Sequence, residues 1–593
     1  MNKIKLISLF IILLLAKNQA FSQDIEHVFD RFKKRPFKFS GGISANQVFY
    51  GATGIDNRRS PYTYYLSGNV NIAFYGWNFP FTFSLSDQES QYQTPPFQSF
   101  DRYGVTPYYK WIKLYAGYSN MTFSPYTFNG YTFLGGGAEI TPGIFNISAF
   151  YGRLNEAVEE DTAANITPVY QRMGYGFKFG VKKEGDYVDV MFFKAKDDVN
   201  SLQYLSDDWE ITPGENLVLG VKAGKTLIKS LKLEAEYAST AITRDIRAQE
   251  QSEKVPYIFS KLNGLFTPRV SSEYYNAFKS SLNYSGNGYG LGAAYERIDP
   301  GYETMGAYYF NNDLEKITVN ANTSLLKQKM QLAINVGFEH NNLNDDKLSS
   351  MKKTVGSINV NYAPSAKWNF AASYSNFTSF TNIRSDFEII NQVNPVERID
   401  TLNFTQLTQS ANANVSYLIG DPNKADKKQF LNLNVSSQIA ANEQQGNPNS
   451  GSAFYNGNVS YTISLVPKNM SITAAVTGNY TEMPNAYTAM MGPMVSLSKL
   501  FLEKTVRTTA SLAWNQTCVN EEVTNSIINF RINGSYTLKK VHSFNLSLIT
   551  LNKTETTIER PDFTEFTVTL GYSYSFATSD ERKKKTKSEK TGM

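Results

Sequence analysis

Three histidines, His27, His340 and His542, are the only imidazoles this chain offers for general-base chemistry. A hydrolytic site needs such a base beside its nucleophile. His27 lies near the N-terminus, His340 opens a long polar connection and His542 follows the tight pair Lys539-Lys540, so the spacing brings no two of them together. Metal chemistry fares no better. Asn341 to Asp346 places two aspartates beside His340 with no second His or Cys at ligand spacing, and the one cysteine is Cys518. A weak calcium loop and a solvated turn both fit that run, the turn being the simpler reading. Gly135-Gly136-Gly137 and Gly174-x-Gly176 lack the strand-to-helix context of a phosphate cradle, and read as points of bending or close packing. The expectation is a protein that is not an enzyme and carries no metal or cofactor.

The elements that position the remaining charged residues are strands. From Phe566 to Phe576 the residues Phe566, Val568, Leu570, Tyr572, Tyr574 and Phe576 share one face, and Thr567, Thr569, Gly571, Ser573 and Ser575 the other. The same alternation runs through Ile528 to Thr537, Leu332 to Glu339 and Leu431 to Ser436. Working forward from Phe37, about 26 such segments can be laid out, with 22 as the lower bound. Tight connections such as Glu184-Gly185-Asp186 and Gln328-Lys329 alternate with long ones such as Asn120 to Tyr131, Thr243 to Arg269, Ile298 to Leu314 and Asn376 to Asn403. Short turns at one end and long loops at the other are the layout of an outer-membrane barrel, whereas a soluble sandwich has no reason to keep that order. The expected fold is all-β: one large single-chain antiparallel transmembrane β-barrel over 37–576, with short periplasmic turns and long extracellular loops.

Period two then assigns faces. Lys178 and Lys222 point inward, as do Lys232, Glu234 and Glu236 on the next strand, with Glu139 and Arg531 elsewhere around the ring. Such charges suit a wet lumen. They either set solute preference or pair with one another or with an inserted loop, and the sequence leaves both open.

Composition agrees. Mean hydropathy is −0.36, which for a barrel means only that half of each strand is polar, while Phe, Tyr and Trp make up 14% of residues, as interface girdles require. A single cysteine excludes a disulfide framework, and a net charge of +5 with interspersed signs does not imply nucleic acid. Lys3 and Lys5, the apolar run Leu6 to Ala16 and Ala20-Phe21-Ser22 read as a cleaved export signal over 1–22, too short for a membrane helix. Residues 23–36 carry Ile25, Val28, Phe29 and Phe32 at helical spacing, a periplasmic segment before the barrel, and 577–593 form a basic periplasmic tail.

The ending Gly571-Tyr572-Ser573-Tyr574-Ser575-Phe576 resembles the C-terminal signal that outer-membrane barrels present to their assembly machinery, which gives Tyr572, Tyr574 and Phe576 that role by resemblance. It departs from the pattern in that Ala577 to Met593 follow. The Asn- and Tyr-rich strands and the Ala-Phe-Ser-Gln context look like outer-membrane barrels of the Bacteroidota. Asp161-Thr162-Ala163 and Asp400-Thr401-Leu402 resemble the O-glycosylation sequon of that group, pointing to Thr162 and Thr401. TonB-dependent transporters place a plug domain before the barrel, whereas only 23–36 stand there, so that class is not expected. A ring this wide must be filled by loops, by the N-terminal segment or by another protein. The expected function is transport or translocation across the outer membrane through an occluded barrel, alone or within an envelope complex. A non-conducting scaffold is the alternative, and an outer-membrane hydrolase a weaker one. The partners expected are outer-membrane lipid and lipopolysaccharide, the barrel-assembly machinery, and a periplasmic or outer-membrane protein.

Overall fold

A computed structural model describes residues 37–86, 102–160, 167–203, 205, 211–251, 255–262, 264–346, 352–376, 379–382, 404–422, 426–440, 451–484, 486–556 and 561–578. The proposed export signal, the segment 23–36 with His27, Thr162, Thr401 and the tail from 579 lie outside them.

All strands belong to one antiparallel sheet of 28 hydrogen-bonded segments. Two pairs of segments are halves of an interrupted strand, which leaves 26 crossings. Arg102–Val105 and Tyr108–Tyr109 are separated at Pro107, which has no N–H to give the ladder. Trp368–Ser375 and Ser379–Asn382 are parted beside Asn376, whose side chain bonds the backbone of Thr354 and Gly356. The sheet closes where the first strand, Phe37–Thr53, pairs with the last, Phe563–Ala577, from Ser40 opposite Ala577 to Thr53 opposite Thr564. Closure leaves no unpaired edge, which a sheet in hydrocarbon cannot tolerate.

Alternating burial gives the two faces. Val188, Val190, Ile317, Val319, Phe338, Val435, Val476, Phe530 and Phe566 are exposed on the outside, while Met191, Phe193, Asn529, Thr567 and Thr569 on the intervening positions are buried. Apolar side chains exposed all round a closed sheet form a lipid-facing band. Stacked aromatics border it beside the short turns: Trp77 with Tyr109 at 5.4 Å, Trp368 with Tyr417 at 4.2 Å and Phe39 with Phe576 at 4.7 Å.

One end carries only short turns. Glu184 and Gly185 both take positive φ, the geometry of a two-residue hairpin that matches strand twist. The opposite end carries the long connections, with two departures from the expected strict alternation. Between Met483 and Ala486, and between Val519 and Glu522, the loop-end connection is also only two residues. Two expected loops are shorter than the sequence implied. Strands run in to Thr122 and out from Asn129, and Ser379–Asn382 continues a strand into the stretch assigned to a loop, because the backbone ladder runs on past a bulge to Thr122 opposite Asn129 and resumes at Ser379 opposite Leu407.

Candidate functional site in the lumen

The inner wall carries a ladder of alternating charge. Asp189 stands directly opposite Lys222, Lys222 opposite Glu236, Glu236 opposite Lys279, Lys279 opposite Glu296, Glu296 opposite Lys316, and Lys316 opposite Glu339. Seven consecutive strands thus each contribute one residue, and the sign changes at every step. Lys222 reaches Glu236 at 3.5 Å, Lys279 reaches Glu296 at 3.5 Å and Lys316 reaches Glu296 at 3.0 Å, while Lys178 joins from the preceding strand at 3.2 Å from Asp189. An opposite-charge pair across strands contributes about 0.2–1 kcal/mol, so each rung is weak and the order of the set is its main property.

Of the other inward charges, Lys232 pairs with Glu234 at 2.7 Å, and the Tyr187 hydroxyl donates to Glu234 at 3.0 Å. Glu139 faces Lys113 at 3.9 Å. Arg531 lies far from all of these, on Glu522–Leu538. The sequence reading did not single out Asp189, Lys279, Glu296, Lys316 or Glu339.

Two loops turn into the lumen on this charged half. Residues 123–128 and 299–313 pack on the inward faces of the strands around them, forming one apolar cluster with Phe133, Phe150, Met191, Phe193, Val218 and Ala277. Phe128 is fully buried, stacked on Phe150 at 4.2 Å and Phe193 at 5.3 Å. Burying one Phe stabilises by about 1.5–3 kcal/mol, more than any single rung of the ladder. Strand glycines make the room: a Cβ at Gly176 would meet the rings of Phe123 at 2.6 Å and Phe150 at 2.7 Å. The loops also hold each other, through Tyr302 Oη to the Tyr126 carbonyl at 2.8 Å and Thr304 Oγ1 to the Thr127 carbonyl at 2.6 Å. Tyr126 donates its phenol to Glu296. Burial first, and then the Glu296 carboxylate, push that phenol well above the ordinary tyrosine value and keep it a neutral donor.

Above these loops a cavity of about 640 Å³ opens toward the loop end, lined by Tyr131, Arg172, Asp197, Arg244, Glu303 and Tyr308 among others. Its cations are engaged. Arg172 forks onto Asp197 at 2.7 and 3.0 Å, and Arg244 reaches Glu303 at 2.9 Å and Glu273 at 3.4 Å. Burial lowers the Arg244 value, but Glu303 and Glu273 more than offset it, so the net shift is upward.

Residues 244–251, 255–262 and 264–271 go the other way and fold down the outer wall. Their short helix Tyr257–Ser260 sets Phe259, with Phe266, against Leu217 and Ala241 on the outward face. Beneath this flap lies an outward ion pair, Lys194 with Glu215 at 2.8 Å, and Lys194 also donates to the Leu265 carbonyl. Tyr257 and Ile258 remain exposed.

Elsewhere the inner wall carries an uncharged stretch. Asn432, Asn434 and Ser436 oppose Ser460, Asn458 and Asn456, and these oppose Ala475, Thr477 and Asn479. Hydroxyl–amide and hydroxyl–hydroxyl bonds knit the wall, as between Ser416 and Asn432 at 2.7 Å and Ser547 and Asn533 at 2.8 Å.

The aromatic ending lies on the outer face at the closing seam. Tyr572, Tyr574 and Phe576 stand opposite Ala45, Ile43 and Gly41. His542 begins the strand beside them, stacked on Tyr574 at 4.8 Å, and His340 ends a strand at the loop end, 3.2 Å from Glu315. The two histidines therefore sit at opposite ends of the barrel.

No family model matches this chain, and no curated protein sequence matches it. Solved structures do. The iron transporter FrpB of Neisseria meningitidis aligns over 91% of this chain and 81% of its own at 11% identity and a TM-score of 0.36. The P pilus usher PapC translocation pore aligns over 91% and 100% at 8% identity and 0.35, and the copper transporter OprC over 91% and 80% at 8% identity and 0.35. Likeness at this level carries no argument about this chain, and its architecture, a closed 26-stranded barrel of the outer-membrane type, rests on its own strand pairing.

Proposed function

We propose that this protein is an outer-membrane barrel for transport or translocation, closed at rest by the inward loops 123–128 and 299–313. The observation that carries the reading is the apolar cluster that seats both loops on the lumen wall, with Gly176 leaving the space for one of them. A barrel this wide would breach the membrane if open, and a loop packed on the wall can close it and still move. The short-turn end, where the barrel begins and finishes, faces the periplasm in this reading. The barrel-assembly machinery would then meet Tyr572, Tyr574 and Phe576, and lipid and lipopolysaccharide would cover the outer band.

Planar-bilayer recording tests it. The native chain is expected to pass little current, and a variant with 124–127 shortened to a tight turn is expected to show large, steady conductance. A folded, heat-modifiable barrel that stays silent in both forms would reject the reading. That result would favour a scaffold recruiting partners at its outer flap, where Tyr257 is 78% exposed.

A further inference from the structure

We infer that the outer wall at the short-turn end is a collar for the headgroups of anionic phospholipid, which it selects over zwitterionic lipid. For its leaflet, the periplasmic one, the inference rests on the transport reading, but the contact itself does not require conduction. Period two carries the lipid-facing rows on to lysine at this end. On Arg172–Lys183 the exposed Phe177 and Phe179 are followed in the same row by Lys183. Val221 leads likewise to Lys225, and Val495 and Leu497 lead to Lys499. On Lys427–Ala440 the row of Leu433 and Leu431 begins at Lys427. Side chains two apart share a face, so all four lysines project from the lipid side of the wall, beside short turns.

Their level is that of the headgroups. Trp77 stacked on Tyr109 and Trp368 stacked on Tyr417 border the lipid-facing band here. Lys110 holds its ammonium 5.1 Å from the Tyr109 ring, and Lys499 holds its own 5.1 Å from the exposed Phe501 ring. Rings of this kind settle where hydrocarbon gives way to headgroups, and long lysine side chains reach past them to water and phosphate.

The charge at this level is unbalanced. Among the described residues, Lys183, Lys225, Lys427 and Lys499 make no ion pair with a carboxylate. Glu184, Asp421, Asp426 and Glu503 lie on the turns, but the turns also carry Lys229, Lys327, Lys468, Lys504, Lys539 and Lys540. Asp186, on the outward row of Val188, takes the Thr226 N–H at 2.6 Å. At the loop end, by contrast, outward cations are paired, Lys194 with Glu215 at 2.8 Å and Arg297 with Glu315 at 3.6 Å. A zwitterionic lipid carries its own cation beside the phosphate and gains little from a lysine, whereas a lipid of net negative charge is favoured about fivefold beside each one. The four lysines stand on strands early and late in the chain, an arrangement that suits a ring of lipid better than one docked protein.

Spin-labelled lipids test the collar. The full chain is reconstituted in dioleoylphosphatidylcholine vesicles, and the motionally restricted fraction of spin-labelled phosphatidylglycerol is compared with that of spin-labelled phosphatidylcholine. Averaged over the whole lipid shell, phosphatidylglycerol is expected to be enriched about twofold. The combined variant Lys183→Gln, Lys225→Gln, Lys427→Gln and Lys499→Gln should bring the two lipids near parity, each single variant should remove part of the enrichment, and Lys222→Gln in the lumen should leave it unchanged. Heat-modifiable gel mobility confirms that each variant is folded, and the single variants carry the test if the combined one is not. Equal association of the two lipids with the native chain overturns the inference and turns the lysines toward an acidic protein. Enrichment that survives in the combined and single variants overturns it too, as does enrichment that inorganic phosphate removes at constant ionic strength, which would mean a site for free anions. Selective association in a barrel that never conducts upholds the collar and rejects transport. Conductance without selectivity does the reverse.

Discussion

The phenol of Tyr126, carried on an inward loop, donates to the carboxylate of Glu296, which itself stands between Lys279 and Lys316 in the lumen ladder. One acid therefore serves two structures: it is a rung of the wall and the polar anchor of the loop that covers the wall.

Tyr126→Phe should separate those roles. It removes the bond and keeps the ring, at an expected cost of about 1.5–3 kcal/mol for a hydrogen bond to a charged group. The ladder itself should be intact, so the gel-shift melting temperature of the barrel should move little while brief current openings become frequent in bilayer recordings. An unchanged record would show that the apolar contacts of Phe128 hold the loop unaided.

Gly176→Val tests the seat directly. The added side chain collides with Phe123 and Phe150, an overpacking expected to cost about 1–3 kcal/mol. The loop can leave and the sheet cannot, so the variant should fold and conduct. Protease access to 123–128 should rise with it, and failure to see either change would place the loop elsewhere.

A charge swap should expose the ladder's order. In an isolated pair, Lys222→Glu combined with Glu236→Lys restores attraction. Here the double variant leaves Asp189 facing an acid and Lys279 facing a base. It should therefore melt no higher than Lys222→Glu alone, a non-additivity readable by a double-mutant cycle. Full rescue would mean the rungs act as separate pairs.

The outer flap should respond to acid. Asp245 lies at its start, and its carboxyl is held below the ordinary aspartate value first by the side-chain bond from Arg247, at 3.0 Å. A depressed value means stabilisation that is present above the unfolded aspartate value near 4 and is lost as pH falls through the folded one. Pepsin cleavage at Phe259, normalised to a control peptide, should stay slow near pH 4 and rise below it. Asp245→Asn should remove that pH dependence.

How much of this was legible depends on what each feature requires. Period two alone put Phe566 and Thr567 on opposite faces, and the structure exposes the first and buries the second. It also put Lys222 and Glu236 on one face. That they are neighbours follows only from register, and register can be counted from a tight turn but not across a long loop. Lys279 with Glu296 and Lys316 with Glu339 flank short turns and could have been found by counting outward. Glu236 with Lys279 and Glu296 with Lys316 are joined across 244–271 and 299–313, where nothing in the sequence fixes the count. The inward turn of 123–128 was hidden for another reason. Its Phe and Tyr residues read equally as interface aromatics, and Gly176 announces its use only once Phe123 is beside it.

The seam of the barrel has a kinetic consequence. Every short-turn hairpin joins neighbours in sequence, but Ser40 meets Ala577, and Glu565 bonds Tyr50 at 2.6 Å and Arg58 at 2.7 Å, only when nearly the whole chain is in place. Until then the growing sheet has two raw edges that no partial folding can satisfy. Closing is therefore all or nothing and comes last. A chain lacking its final strand would be a sheet with nowhere to stop, open to pairing with any other edge it meets.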